Sequence, residues 1–232
     1  MPIVHDKKLV FIHIPKTGGT SMSSHFFDFD NMNKLKFDKD CLIGSVISVG
    51  EGMYRRSSHC TAQEIKGIYP KYFEDYKKIA VVRNPFDRIL SVFEHLYIGR
   101  HTVPMIGEIE KISFDDFVSK VYDKWCEKEI YKLQTLKHED KPFEDYYALL
   151  IPQVEFLKID GVISDQIRIY RFENFGEISS EFGITRKLNT NRRKNWGSNY
   201  HTRYHNPESI RKVQEMYKED LEAFKYQYSS GD

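Results

Sequence analysis

The chain has 232 residues, enough to bury one full α/β core, so a single domain spanning residues 1–232 is expected. Hydrophobic residues make up 40% and aromatics 14%, which argues against a disordered chain. With 35 basic and 34 acidic residues the net charge is +1, so there is no global argument for a nucleic-acid partner, and any anion site must come from local clusters.

In chain order, Lys8 to Ile14 is a β-rich run (Leu9, Val10, Phe11, Ile12, Ile14) that stops at Pro15 and reads as a buried strand. Thr17-Gly18-Gly19 is a turn, after which Thr20 or Ser21 can cap a helix carrying Met22, Phe26 and Phe27. Residues Cys41 to Val49 read as another strand. Thr61 with Glu64 forms a capping box for a short helix from about Ala62 to Ile68, and His59 sits in the turn entering it. Lys78 to Arg83 is the best second parallel strand. Asn84-Pro85 then supplies an N-cap and a first helical residue. The helix beyond repeats Phe86, Ile89, Leu90, Phe93, Leu96 and Tyr97 at a 3.6-residue period. Ser113 to Trp125 is a further amphipathic helix, and residues Lys132 to Tyr147 are polar and irregular, as in a surface excursion. Ile167 to Phe172 reads as a late strand. One last long helix is expected from Asn206-Pro207, with Ile210, Val213, Tyr217, Leu221 and Phe224 on one stripe. Two strand–turn–helix units in succession predict an α/β fold, with a central parallel β-sheet flanked by helices and a P-loop-like strand–turn–helix nucleotide site.

Pro15-Lys16-Thr17-Gly18-Gly19-Thr20-Ser21 joins a buried strand to a helix N-terminus. Glycines let backbone approach a ligand, and the first helical N–H groups point at an anion. Lys16 adds a positive charge, and the hydroxyls of Thr17, Thr20 and Ser21 add donors. This is a phosphate cradle, but not a Walker A loop, whose lysine follows the glycines. The competing reading is an ordinary tight turn with a solvated lysine. Arg83, ending the second strand, can grip a phosphate with its planar fork, and Ser91 lies two turns into the next helix. The alternative there is a surface arginine near a helix start, with Arg88 pairing Asp87 or the neighbourhood of Glu94.

Phe11 to Ser21, read as a whole string, resembles the 5′-phosphosulfate loop of carbohydrate sulfotransferases. Val81 to Ser91 resembles the 3′-phosphate motif of the same family. The stretch Gln153 to Phe175, with Arg171-Phe172-Glu173-Asn174-Phe175, and the ending Tyr217 to Tyr226 are also similar to it, while residues from about 100 to 150 match nothing recognisable. The resemblance implies a sulfuryl transfer from 3′-phosphoadenosine 5′-phosphosulfate (PAPS) to a carbohydrate hydroxyl, leaving the desulfated product PAP. It implies that Lys16 stabilises the departing phosphate and that Arg83 and Ser91 hold the 3′-phosphate, with no metal required.

A histidine is the natural base for such a transfer near neutral pH. His59, between the two motifs, is the first choice, although it can instead help cap its helix or bind acceptor. His13 is expected to be structural, His95 to line an acceptor cleft, and His201 and His205 are second choices for the base. From Arg186 to His205 there are six lysines and arginines and no acid, interleaved with Trp196, Tyr200 and Tyr204. This is either a solvated loop or a lid over the nucleotide or an anionic acceptor. The resemblance implies that a basic loop just before the final helix touches the 3′-phosphate, and Arg193 and Lys194 are, by position, its candidates. Single-stranded nucleic acid also suits such a stretch, but the balanced charge disfavours it.

The three cysteines, Cys41, Cys60 and Cys126, have no C-x-x-C spacing, so free thiols in a reducing compartment are expected. No apolar run approaches the ~18 residues of a membrane span, which places the expectation in the cytoplasm. Two other classes compete with the transferase. A nucleotide kinase would need a lysine after the glycines, and a non-catalytic binding module would keep the nucleotide site while dispensing with Lys16 and His59. The acceptor and the oligomeric state carry no readable signature.

Overall fold

The computed structural model describes residues 3–26, 46–50, 53–56, 59–103, 106–130, 146–184 and 199–229. In chain order the strands are β1 (Ile3–Val4), β2 (Leu9–Ile12), β3 (Val46–Gly50), β4 (Met53–Arg56), β5 (Lys77–Val82), β6 (Thr102–Val103), β7 (Gly107–Glu108), β8 (Lys158–Ile159), β9 (Val162–Ile163) and β10 (Ile167–Arg171). The helices are α1 (Gly19–Phe26), α2 (Ala62–Ile68), α3 (Pro70–Asp75), α4 (Pro85–Ile98), α5 (Phe114–Cys126), α6 (Tyr146–Leu150), α7 (Phe175–Phe182), α8 (Pro207–Met216) and α9 (Lys218–Phe224). They group into two compact units, the first taking the chain to Val82 and again from Gln153, the second taking the stretch from Arg83 and the C-terminal helices.

The first unit is built on a four-stranded sheet of order β1-β2-β5-β10. β2, β5 and β10 run parallel, and β1 closes one side antiparallel. Every residue of β2, and all of β5 after Lys77, is buried, the continuous apolar pattern of a parallel sheet covered on both faces. On one face Phe11, Ile79, Val81 and Tyr170 pack with Met22 and Phe26 of α1 and Ile178 of α7. The His25 ring ties the end of α1 to α7 by donating from Nε2 to the Phe182 carbonyl at 2.8 Å. α2 begins as the sequence predicts: the Thr61 hydroxyl accepts from the Glu64 amide at 3.2 Å, and the Glu64 carboxylate accepts from the Thr61 amide at 2.7 Å. Such a cap stabilises a helix by about 1 kcal/mol. β3 pairs with β4 in a separate antiparallel hairpin, so the strand expected from Cys41 is described only over Val46–Gly50 and lies outside the central sheet.

The second unit is helical. Asn84 caps α4 by accepting from the Phe86 amide at 3.1 Å, and Pro85 is its first residue. Phe86, Ile89, Leu90, Phe93 and Leu96 are all buried, each contributing about 1.5–3 kcal/mol of burial. Arg88 lies on the same helix and is also buried. Its guanidinium donates to the carbonyls of Ala148, Leu149 and Ile151 at 2.8–3.2 Å, satisfying the last acceptors of α6. The long C-terminal helix expected from Asn206 is in fact two helices, divided at Tyr217. The Tyr217 ring is buried and its hydroxyl donates to the Leu150 carbonyl at 2.8 Å, which fixes the residue at φ −115°, outside the helical range. Among the described residues, no helix is long and apolar enough to cross a membrane.

Candidate functional site

Parallel α/β sheets bind ligands beyond the carboxyl ends of their strands. Ile12 pairs with Ala80, so the loop after β2 leaves the sheet at the same edge where β5 ends at Val82. At the opposite edge, before β5 and β10, Lys66, Phe73, Glu74 and residues 162–166 line a cavity of about 430 Å³. Its position separates it from the loop.

The loop after β2 is built by two left-handed residues. Lys16 has φ 68° and Gly18 has φ 88°, and together they reverse the chain within four residues. The turn delivers the helix earlier than the sequence predicts. Gly18, rather than Thr20 or Ser21, provides the first helical acceptor, because its carbonyl accepts from the amides of Ser21 and Met22 at 2.9 and 3.2 Å. Thr20 and Ser21 are therefore in the first turn of α1. The leading amides of that turn point out of the helix end, where the helix dipole favours an anion.

Both glycines are required by packing. A Cβ on Gly18 would stand 2.9 Å from Cδ2 and Cε2 of Phe172, and its φ is one that side chains rarely adopt. A Cβ on Gly19 would stand 2.8 Å from Cε1 of His13 and nearer still to the other edge of that ring. Thus Arg171–Phe175, singled out on sequence by its resemblance, supplies the wall behind Gly18. Thr17 is fully buried, and its hydroxyl donates to the Ile14 carbonyl at 2.9 Å. Its side chain thereby holds the loop's own backbone, while Lys16 is half-buried beside it.

His13, expected to be merely structural, joins several of these parts. Its ring stacks on Phe11 with centroids 5.6 Å apart and planes 12° apart, and meets the His59 ring edge to face at 5.6 Å and 87°. Although its rim still reaches solvent, burial first, and then the adjacent His59 and Lys16, push the His13 pKa from 6.5 down to about 3. The imidazole is neutral throughout the physiological range. This packing agrees with the structural role expected of His13, but nothing in the spacing of His13, Gly19 and His59 says that they touch.

In the second unit, Arg83 is buried, and its Nε and Nη2 both lie 2.6 Å from Oδ2 of Asp87, one turn into α4. Asp87 therefore pairs with Arg83, where the sequence alternative had it pairing with Arg88. Asp87 and Ser91 are four residues apart on one helix, so Ser91 shares the face that orients Arg83. The spacing of Arg83 and Asp87 is a signal that could have found this pair. His95 sits at the far end of the helix, its ring 5.7 Å from His101. His201 and His205 lie in and after the short turn at Tyr200–Arg203. Tyr200 is stacked on Phe86 at 6.3 Å and within 3.4 Å of the Asn84 amide nitrogen, anchoring that turn at the head of α4. Arg193 and Lys194 lie outside the described residues. No group of three histidine, cysteine or acidic side chains fit to hold a metal occurs among the described residues.

Residues 2–227, nearly the whole chain, match a family model described as the sulfotransferase family. No curated protein and no solved structure matches the chain. The match runs through the Lys16 loop, His59, Arg83 and the Arg171–Phe175 wall alike, and the chain belongs to the sulfotransferase family.

Proposed function

We propose that this sulfotransferase takes its sulfuryl group from PAPS and transfers it to a hydroxyl of a carbohydrate, releasing PAP, and that residues 1–232 act as one sulfotransferase domain. The observation that carries the reading is the loop after β2. A lysine held at φ 68° and a glycine pair that admits no Cβ deliver a helix N-terminus just beyond a parallel strand. The match of a single family model through both compact units supports the one-domain reading.

Lys16, the backbone of Thr17, Gly18 and Gly19, and the first-turn residues Thr20 and Ser21 are assigned to the 5′-phosphosulfate. Arg83, oriented by Asp87, and Ser91 are assigned to the 3′-phosphate, with Arg193 and Lys194 as further contributors. His59 takes the proton from the acceptor hydroxyl. As the acceptor oxygen bonds to sulfur, the bond between sulfur and the 5′-phosphate oxygen breaks, and Lys16 neutralises the charge that collects on the phosphate. Transfers with loose transition states depend on positioning and electrostatics, which is what these residues supply. The carbohydrate class of the acceptor rests on the resemblance of residues 11–21.

The test is ligand-induced thermal stabilisation. PAP, with phosphates at both ends, is expected to raise the melting temperature more than ATP or AMP at equal concentration. An equal or absent shift overturns the PAPS assignment. A screen of sugars with labelled PAPS then identifies the acceptor.

A further inference from the structure

His13 has no assigned part in the reaction, yet its ring occupies the one position where the sheet, the loop and the candidate base meet. On one side it lies nearly parallel to Phe11, which is fully buried in β2 and cannot yield. On another it fills the volume that any side chain at residue 19 would need, so the start of α1 rests against it. Its third neighbour is His59, met at an interplanar angle of 87°. A ring confined in two directions presents a fixed plane in the third. Edge-to-face pairs of this kind favour one relative orientation of the two rings over another.

We propose that His13 is a positioning residue: its ring, clamped between Phe11 and Gly19, sets the orientation of His59 relative to the Lys16 loop. The inference rests on the assignment of His59 as base in the reading above. His13 acts by shape and not by moving a proton. The charged and titratable groups acting on it are His59, from the turn before α2, the chain's N-terminal amine, and Lys16, from the loop, and all three oppose a charge on it. A neutral plate beside the base is also what the reaction needs, because a second cation there would resist protonation of His59 as the hydroxyl gives up its proton.

The experiment compares His13→Phe, which keeps a flat ring, with His13→Leu, which fills the volume without a plane. The readouts are kcat, KM for the acceptor and PAP-induced thermal stabilisation. His13→Leu is expected to lower kcat ~10- to 100-fold, the scale of a misplaced catalytic group, with KM and the PAP shift nearly unchanged. His13→Phe is expected to restore kcat to within about threefold of the parent. A His13→Leu protein with normal kcat overturns the inference, as does a His13→Phe protein as slow as His13→Leu while PAP still binds. If His13→Leu does not fold, the phenylalanine arm alone decides, since a ring that merely shapes the site must preserve turnover. His59→Ala measured alongside separates the two levels. If it retains turnover, the base assignment fails, whereas an inactive His59→Ala beside a fully active His13→Leu defeats only the role of His13.

Discussion

Replacing Gly19 with alanine adds one methyl group at the most constrained point of the loop. That methyl would stand 2.8 Å from Cε1 of His13 and closer to its other edge atoms, so either the ring or the start of α1 must move. The ring is stacked on buried Phe11 and abuts His59, so neither direction is open without loss of packing. Overfilling a packed site typically costs about 1–3 kcal/mol. The higher helix propensity of alanine returns less than ~1 kcal/mol, because residue 19 is at the very start of the helix. The net loss is therefore about 1–2 kcal/mol, and at 2–4 °C per kcal/mol for a chain of this size the melting temperature should fall by ~2–8 °C. Gly67 is the internal control. It lies in α2 with nothing within 4 Å of its built Cβ, so Gly67→Ala should stabilise by about 0.5–1 kcal/mol. Thermal melts with and without PAP would measure both. A Gly19→Ala protein that melts at or above the parent temperature and keeps its PAP shift would refute the claim that His13 is clamped against the helix start.

Two further outcomes follow from the same geometry. Lys16→Ala should lower kcat by ~10²–10³ while PAP affinity changes far less, because its charge is needed as the phosphate departs; Arg83→Ala should instead mainly weaken PAP binding, and titration calorimetry with steady-state kinetics separates the two. The His13 ring also predicts a pH effect on stability. Its folded pKa of about 3 lies below the ordinary 6.5, so its contribution is complete above pH 6.5 and is lost as pH falls toward 3. At most ~1.4 kcal/mol per pH unit is involved, so between pH 7 and 5 the parent should lose about 1–2 kcal/mol more than His13→Phe in urea unfolding. Parallel pH dependences of the two proteins would contradict the lowered pKa.

What the sequence made legible was local. The Thr61–Glu64 box, the Asn84-Pro85 helix start and the apolar runs of β2 and β5 are each encoded within a few residues, and each lies where it was read. The family resemblance of residues 11–21 was legible for the same reason, since the motif is contiguous. The departures come from contacts distant in sequence or from backbone angles that composition does not reveal. Gly18 at φ 88° starts α1 two residues before the hydroxyl residues expected to cap it. The stripe through Val213, Tyr217 and Leu221 is unbroken in sequence, yet the Tyr217 hydroxyl bonds to a carbonyl 67 residues away and divides the helix. Arg88 read as a partner for Asp87 or the neighbourhood of Glu94, but the carbonyls it satisfies lie in and just after α6, some 60 residues on. The role of Arg193 and Lys194 was read from position alone, and they lie outside the described residues.

The left-handed backbone of Lys16 has a consequence for how such a chain can change over generations. A lysine at φ 68° carries a conformational penalty of about 1 kcal/mol that a glycine would not. Backbone energy alone therefore favours glycine at the position where the proposed transfer requires a cation. Fold persistence and turnover pull in opposite directions at a single residue. A lineage released from selection for activity could relax this loop and keep a sound fold, drifting toward a nucleotide binder that no longer transfers anything.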